Sequence, residues 1–153
     1  MVKHYNQCLI IADGGHVRFV KPAEDNALHT IEAFDSATIH QRDRDLVSDR
    51  PGRSSESATS ARHAYSPRVD PHDAEKMKFA HLVAERVCAE SAAGLFNELV
   101  LVAPAHFLQE LRASLDQVTE AKVIGTLAKD LTKVPDHELW PHVKEWVRPV
   151  HRA

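Results

Sequence analysis

The chain has 153 residues, of which 43% are hydrophobic and 27% charged, with a formal net charge of −3. That length supports one domain with a real core, because a chain of about 150 residues buries roughly 68–70% of its unfolded surface. The charge balance excludes a generally basic nucleic-acid binder, and no run approaches the roughly 18 apolar residues of a membrane span. The N-terminus lacks the apolar core and cleavage site of a secretion signal. Cys8 and Cys88 lie within apolar patterns and read as buried free thiols, so a cytoplasmic protein without a disulfide framework is expected.

Gln7–Asp13 (QCLIIAD) is a short, almost wholly apolar run, as a central strand covered on both faces requires. Gly14-Gly15 is expected to supply the positive φ angles of a tight hairpin turn. His16–Lys21 (HVRFVK) alternates, with Val17, Phe19 and Lys21 facing one way. After a second turn at PAEDN, Ala27–Phe34 alternates through Leu28, Thr30 and Glu32 against His29, Ile31 and Ala33. The three form an antiparallel meander whose first strand is central.

Between Ser36 and Pro71 the periodicity stops. Six of the eleven arginines lie here (Arg42, Arg44, Arg50, Arg53, Arg62, Arg68), and none of the lysines. Arg and Lys bring the same charge, so this choice points to a planar fork gripping phosphate, carboxylate or an aromatic face. Loops beyond about 12–15 residues are usually either functional or disordered. Asp43, Asp45, Asp49, Glu56 and Asp70 nearly cancel the arginines, which suits a solvated tether. The functional reading is preferred, because binding residues concentrate in loops.

Asp70 then makes an N-cap and Pro71 a first helical residue. The helix is expected to run to about Ala93, with Met77, Ala80, Val83, Ala84, Val87, Cys88 and Ser91 as its apolar stripe, and Gly94 ending it. Glu98–Ala103 reads as a buried strand. Pro104 opens a helix carrying Phe107, Leu108, Leu111 and Leu115 on one face. Val123–Leu127 is a further strand, and a last helix spans roughly Pro135–Val147 with Leu139, Val143, Trp146 and Val147 inward. Trp140 is left as a contact for a partner subunit.

The order β-β-β-α-β-α-β-α makes the strands joined through helices parallel. The expectation is a single α/β domain with a mixed five-stranded sheet in the order 3-2-1-4-5 and three helices. This is a ribonuclease H-like arrangement.

Five blocks carry a resemblance: IADGGHVRF, SDRPGRSSES with RHAYSPRVDP, EKMKFAHLVAE, LVLVAPAHFLQELR and LAKDLTKVP. Together they resemble the bacterial host attachment protein family over about residues 8 to 142. That family in turn looks like a relative of the middle domain of archaeal and eukaryotic peptide release factors. The resemblance implies one domain over residues 1–153 with the long polar loop at 36–71. In release factors this loop holds a Gly-Gly-Gln motif that enters the peptidyl-transferase centre. Here Gly52 and Gln41 stand far apart and in the opposite order, so a backbone able to approach the ester closely is missing. Peptide release is therefore not carried over.

Arg50, Gly52, Arg53, Arg62 and His63 are the candidate contacts for an anion or RNA phosphate. A second candidate is the crevice beyond the carboxyl ends of the parallel strands, with Asp13, His106, Lys129 and Asp130. A metal is not expected: His72 and Glu75 give two ligands at i,i+3 where zinc needs three or four, and His81 falls half a turn away. A two-magnesium nuclease would need Asp13, Asp35, Glu98 and Asp130 together, yet Glu98 starts its strand while the others follow theirs. Asp13 beside two glycines is better read as a turn residue.

The function expected is a non-catalytic cytoplasmic binding protein that associates with ribosomes or RNA through the Arg-rich loop. The alternative is a hydrolase of phosphodiesterase, esterase or peptidyl-tRNA type, using His63 or His106. No cofactor, membrane or DNA partner is expected, and the chain is read as a monomer or homodimer.

Overall fold

The apolar run after Asn6 becomes the centre of the sheet. In the computed structural model, which describes residues 6–23, 25, 27–37 and 71–147, it forms β1 (Gln7–Ala12) with every residue buried. β2 (His16–Pro22) and β3 (Leu28–Asp35) follow as the antiparallel meander. α1 (Pro71–Ala92) crosses to β4 (Glu98–Val102), which pairs parallel with β1. α2 (Ala105–Ala113) and a short α3 (Gln117–Glu120) lead to β5 (Val123–Leu127), parallel to β4. A 3-10 turn (Asp136–Glu138) and the four-residue α4 (Trp140–Val143) close the described chain. The strand order β3-β2-β1-β4-β5 is the one expected.

Alternate residues of β1 and β4 supply two cores. Cys8, Ile10, Leu99 and Leu101 face α1 and α2, where Phe79, Val83, Val87, Phe107 and Leu111 meet them. Burying each such side chain is worth about 1.5–3 kcal/mol. Burial pushes the Cys8 thiol up to about 12, which leaves it an inert core group. Leu9, Ile11, Val100 and Val102 face the other way, under Leu131, Leu139, Val143 and Val147.

The α1 stripe holds from Ala80 onward and gains Phe79, which the sequence reading left out; Met77 is 46% exposed, because the helix reaches the sheet only at its third turn. Its far end is a Schellman motif: Leu95 N donates to Glu90 O and Gly94 N to Ser91 O, with Gly94 at φ 85°. The expected N-cap, Asp70, lies outside the described residues.

Three expectations change. First, Phe19 pairs with Glu32 but Val20 pairs with Thr30, so Ile31 is an extra residue in β3. This bulge reverses the alternation: Leu28 joins the core under Leu131 and Leu139, whereas Phe34 packs on the α1 side. Second, the helix after Pro104 stops at Ala113, so Leu115 falls in a turn before α3, making four helices among the described residues. Third, the helix expected over 135–147 is broken into a 3-10 turn and a single α turn. A continuous helix would set the ring of Pro141 against the carbonyl of His137 and lose a hydrogen bond. The broken path lets Trp146 lie half-buried on Gly125, where an added Cβ would sit 2.2 Å from the indole nitrogen. Trp140 is likewise half-buried against this core.

Candidate functional site

The β1–β2 turn sits at the carboxyl end of β1, and Asp13 organises it. Its Oδ1 accepts from Gly15 N at 2.8 Å, His16 N at 2.7 Å and His16 Nδ1 at 3.1 Å. Burial alone would raise this carboxyl. The hydrogen bonds from Gly15 and His16 outweigh it and hold Asp13 below the usual carboxylate range. The turn role expected for Asp13 is therefore met by geometry.

Thr132 ties that turn to the chain after β5. Its hydroxyl lies 2.5 Å from Asp130 Oδ1 and 3.2 Å from Asp13 Oδ2, while its N–H donates to Asp130 Oδ1 at 3.0 Å. Two of the four crevice candidates thus meet through a residue that sequence reasoning passed over. His106 and Lys129 are exposed and make no side-chain hydrogen bond or ion pair among the described residues. Glu98 stands at the opposite strand end and accepts from Gln7 Nε2 at 3.1 Å. No group of three His, Cys, Asp or Glu side chains among the described residues is placed to hold a metal ion.

The same turn receives both flanks of the Arg-rich segment. Ser36 N donates to Gly15 O at 2.8 Å. On the other flank, the aliphatic stem of Lys76 lies on Gly14, where an added Cβ would stand 2.7 Å from Lys76 Cγ. The positive φ expected at Gly14 and Gly15 is not found; at Gly14 a side chain would instead displace the stem of Lys76. Arg50, Gly52, Arg53, Arg62 and His63 lie outside the described residues.

Beside the turn, a cavity of about 370 Å3 opens between the ends of β2 and β3 and the chain at Thr132-Lys133. Its lining includes His16, Arg18, Phe34, Asp35, Thr132 and Lys133. Arg18 is anchored below it: one terminal nitrogen donates to Asp136 Oδ1 at 3.1 Å, the other to the carbonyls of Leu131 (2.8 Å) and Val134. Asp136 also accepts from Thr30 N at 2.8 Å and Thr30 Oγ1 at 2.6 Å. Burial opposes its ionisation, but the Thr30 hydrogen bonds and Arg18 together hold it below the usual carboxylate range. The signal that could have found Arg18 was a lone arginine within an otherwise apolar strand.

No helix among the described residues is long and apolar enough to cross a membrane. A family model described as "Protein required for attachment to host cells" matches residues 8–143. No curated protein matches the chain at a significant level.

Proposed function

The chain belongs to that family of proteins required for attachment to host cells, and from this premise we propose that it is a non-catalytic binding protein whose Arg-rich segment engages RNA phosphate, with the ribosome as the partner. One observation carries the reading. Ser36 and Lys76, which flank the segment, meet Gly15 and Gly14 of a single turn at the carboxyl end of β1. That edge of an open α/β sheet is where such folds usually bind ligands. On this reading the segment with its six arginines works near the end of the sheet where such folds usually put their sites. Planar guanidinium groups suit phosphate better than ammonium groups do, since two N–H bonds can reach one phosphate.

The element order supports a further step: a meander, a long insert, then a long helix is the layout of a release-factor middle domain on a ribonuclease H-like scaffold. On this reading the insert keeps the reach but lacks the paired glycines of the hydrolytic motif, so the protein binds without cleaving. A hydrolase built on His106 has less support, because no carboxylate contacts that imidazole among the described residues.

The test is co-sedimentation with ribosomes and crosslinking to RNA, comparing the full chain with an Arg50/Arg53/Arg62→Ala variant. The expected result is association that weakens as salt rises and falls at least tenfold in the variant. Absence of ribosomes and RNA from both proteins ends the proposal.

A further inference from the structure

We infer that the cavity between the ends of β2 and β3 and Thr132-Lys133 takes one unpaired, amino-bearing nucleobase of the RNA, an inference that rests on the RNA reading above. Its size, about 370 Å3, falls within the range of small-molecule sites. Val17, Ala33 and Phe34 make part of its wall apolar, and Phe34 adds an aromatic surface. Proteins that read RNA by sequence mostly take unstacked bases splayed from single strands and lay them on aromatic side chains. The lining reaches Asp35, and the Arg-rich segment starts at the next residue, Ser36, whose N–H donates to Gly15 O at 2.8 Å. A single strand gripped by that segment runs beside the opening.

The polar groups of the lining are mainly acceptors. Asp13 Oδ1 accepts from two backbone N–H groups and from His16 Nδ1 at 3.1 Å, as an ionised carboxylate does. The proton of His16 is thereby fixed on Nδ1, and in the neutral ring Nε2 is an acceptor. Asp35 brings a carboxylate, whose about four lone-pair positions can serve more than one donor. Thr132 has its one hydroxyl proton engaged by Asp130 at 2.5 Å. Both terminal nitrogens of Arg18 are committed to Asp136 and to the carbonyls of Leu131 and Val134.

Such a lining suits the exocyclic amino group of adenine, cytosine or guanine. Uracil, whose exocyclic groups are all acceptors, fits it poorly. Lys133 is exposed and forms no ion pair among the described residues, so it stands to meet a backbone phosphate beside the inserted base. His16 and Arg18 are held before any ligand arrives, and little side-chain freedom is lost on binding.

The test titrates the full chain with short single-stranded RNA oligomers of adenosine, cytidine and uridine, and with a ribose-phosphate oligomer of equal length that carries no bases. The adenosine or cytidine oligomer should bind at least about fivefold more tightly than the baseless one, as the stacking of one base implies. Ala33→Trp, a change at an exposed position of the lining, should bring that ratio close to one. His16→Ala should narrow the preference over uridine. The Arg50/Arg53/Arg62→Ala variant should weaken every oligomer, the baseless one included, and keep the ratio.

Free adenosine or cytidine at millimolar concentration should shift amide NMR signals centred on residues 16–18, 33–35 and 132–133, which gives a readout independent of the variants. Equal binding of base-bearing and baseless oligomers overturns the insertion and leaves the RNA reading standing. Nucleoside shifts at the cavity without binding of any oligomer would assign it to a free nucleoside, and overturn both the RNA source and the reading beneath it.

Discussion

The two faces of the sheet are covered by different means. The face toward α1 and α2 is closed by apolar side chains at helical spacing, with Phe79 edge-to-face with Phe34 at 6.2 Å and tilted against Phe107 at 6.0 Å between ring centres. The opposite face is closed by an irregular chain from Leu131 to Val147, fixed at a few polar points. Those points are Arg18 with Asp136 and two carbonyls, Thr30 with Asp136, and Gln7 with the Trp146 carbonyl at 2.8 Å. A helix spreads its hold over many contacts, each replaceable. A strap without regular structure depends on individual anchors, because its own backbone groups need partners.

The largest effect that bears on this contrast is expected from Phe79→Ala. Deleting this 1%-exposed ring should cost about 3–5 kcal/mol and lower the stability of the whole molecule in one cooperative transition. Urea unfolding followed by circular dichroism and by tryptophan fluorescence should give coincident curves.

Arg18→Ala should act differently. It leaves the carbonyls of Leu131 and Val134 and the Asp136 carboxylate without their donor. Because Asp136 is 34% exposed, the cost should be about 2–3 kcal/mol, the low side for a broken buried pair. Trp140 and Trp146 both belong to the strap, so their fluorescence should shift toward solvent before helical signal is lost. Coincident transitions in this variant would erase the distinction between the two faces.

The smallest effect concerns acid. The folded value of Asp136 lies below its ordinary 3.8, so its contribution is fully present above that pH. It disappears as pH falls through the lowered folded value. Asp136→Asn should therefore be less stable than wild type by about 1 kcal/mol at pH 7, a gap that closes below about pH 4. A gap of constant size down to pH 2 would show that the carboxylate's charge contributes nothing.

The face closed by helices was legible in the sequence. β1 announced itself as six consecutive buried residues, and α1 by Val83, Ala84 and Val87 at helical spacing before a capping Gly94. The strand order followed from connection rules, since strands joined by helices run parallel. The strapped face was not legible in the same way. Leu139, Val143 and Val147 repeat at helical spacing and are all buried, yet Pro141 forbids the continuous helix they suggest. Ile31 looks like an ordinary member of an alternating strand; only its missing partner reveals the bulge.

The candidate site divides along the same line. Asp13 could be read from the two glycines that follow it, because a turn has a local signature. Thr132 could not, and Arg18 stood out only as a charge among apolar neighbours, since the partners of both lie more than a hundred positions away. Periodicity reports which side of an element is apolar; it carries no record of which distant polar group completes a hydrogen bond.

Ile31 has a counterpart in β5, where Leu99 pairs with Val123 but Val100 with Gly125, leaving Ile124 as a second extra residue. The pair bears on how copies of this protein coexist in solution. Ile31 and Ile124 stand on the outermost strands, one on each rim, and each breaks the step of its ladder with the neighbouring strand. A guest strand laid along either rim would fall out of phase within a few residues. Growth of the sheet from molecule to molecule is thereby checked at both ends, although each rim displays a greasy side chain.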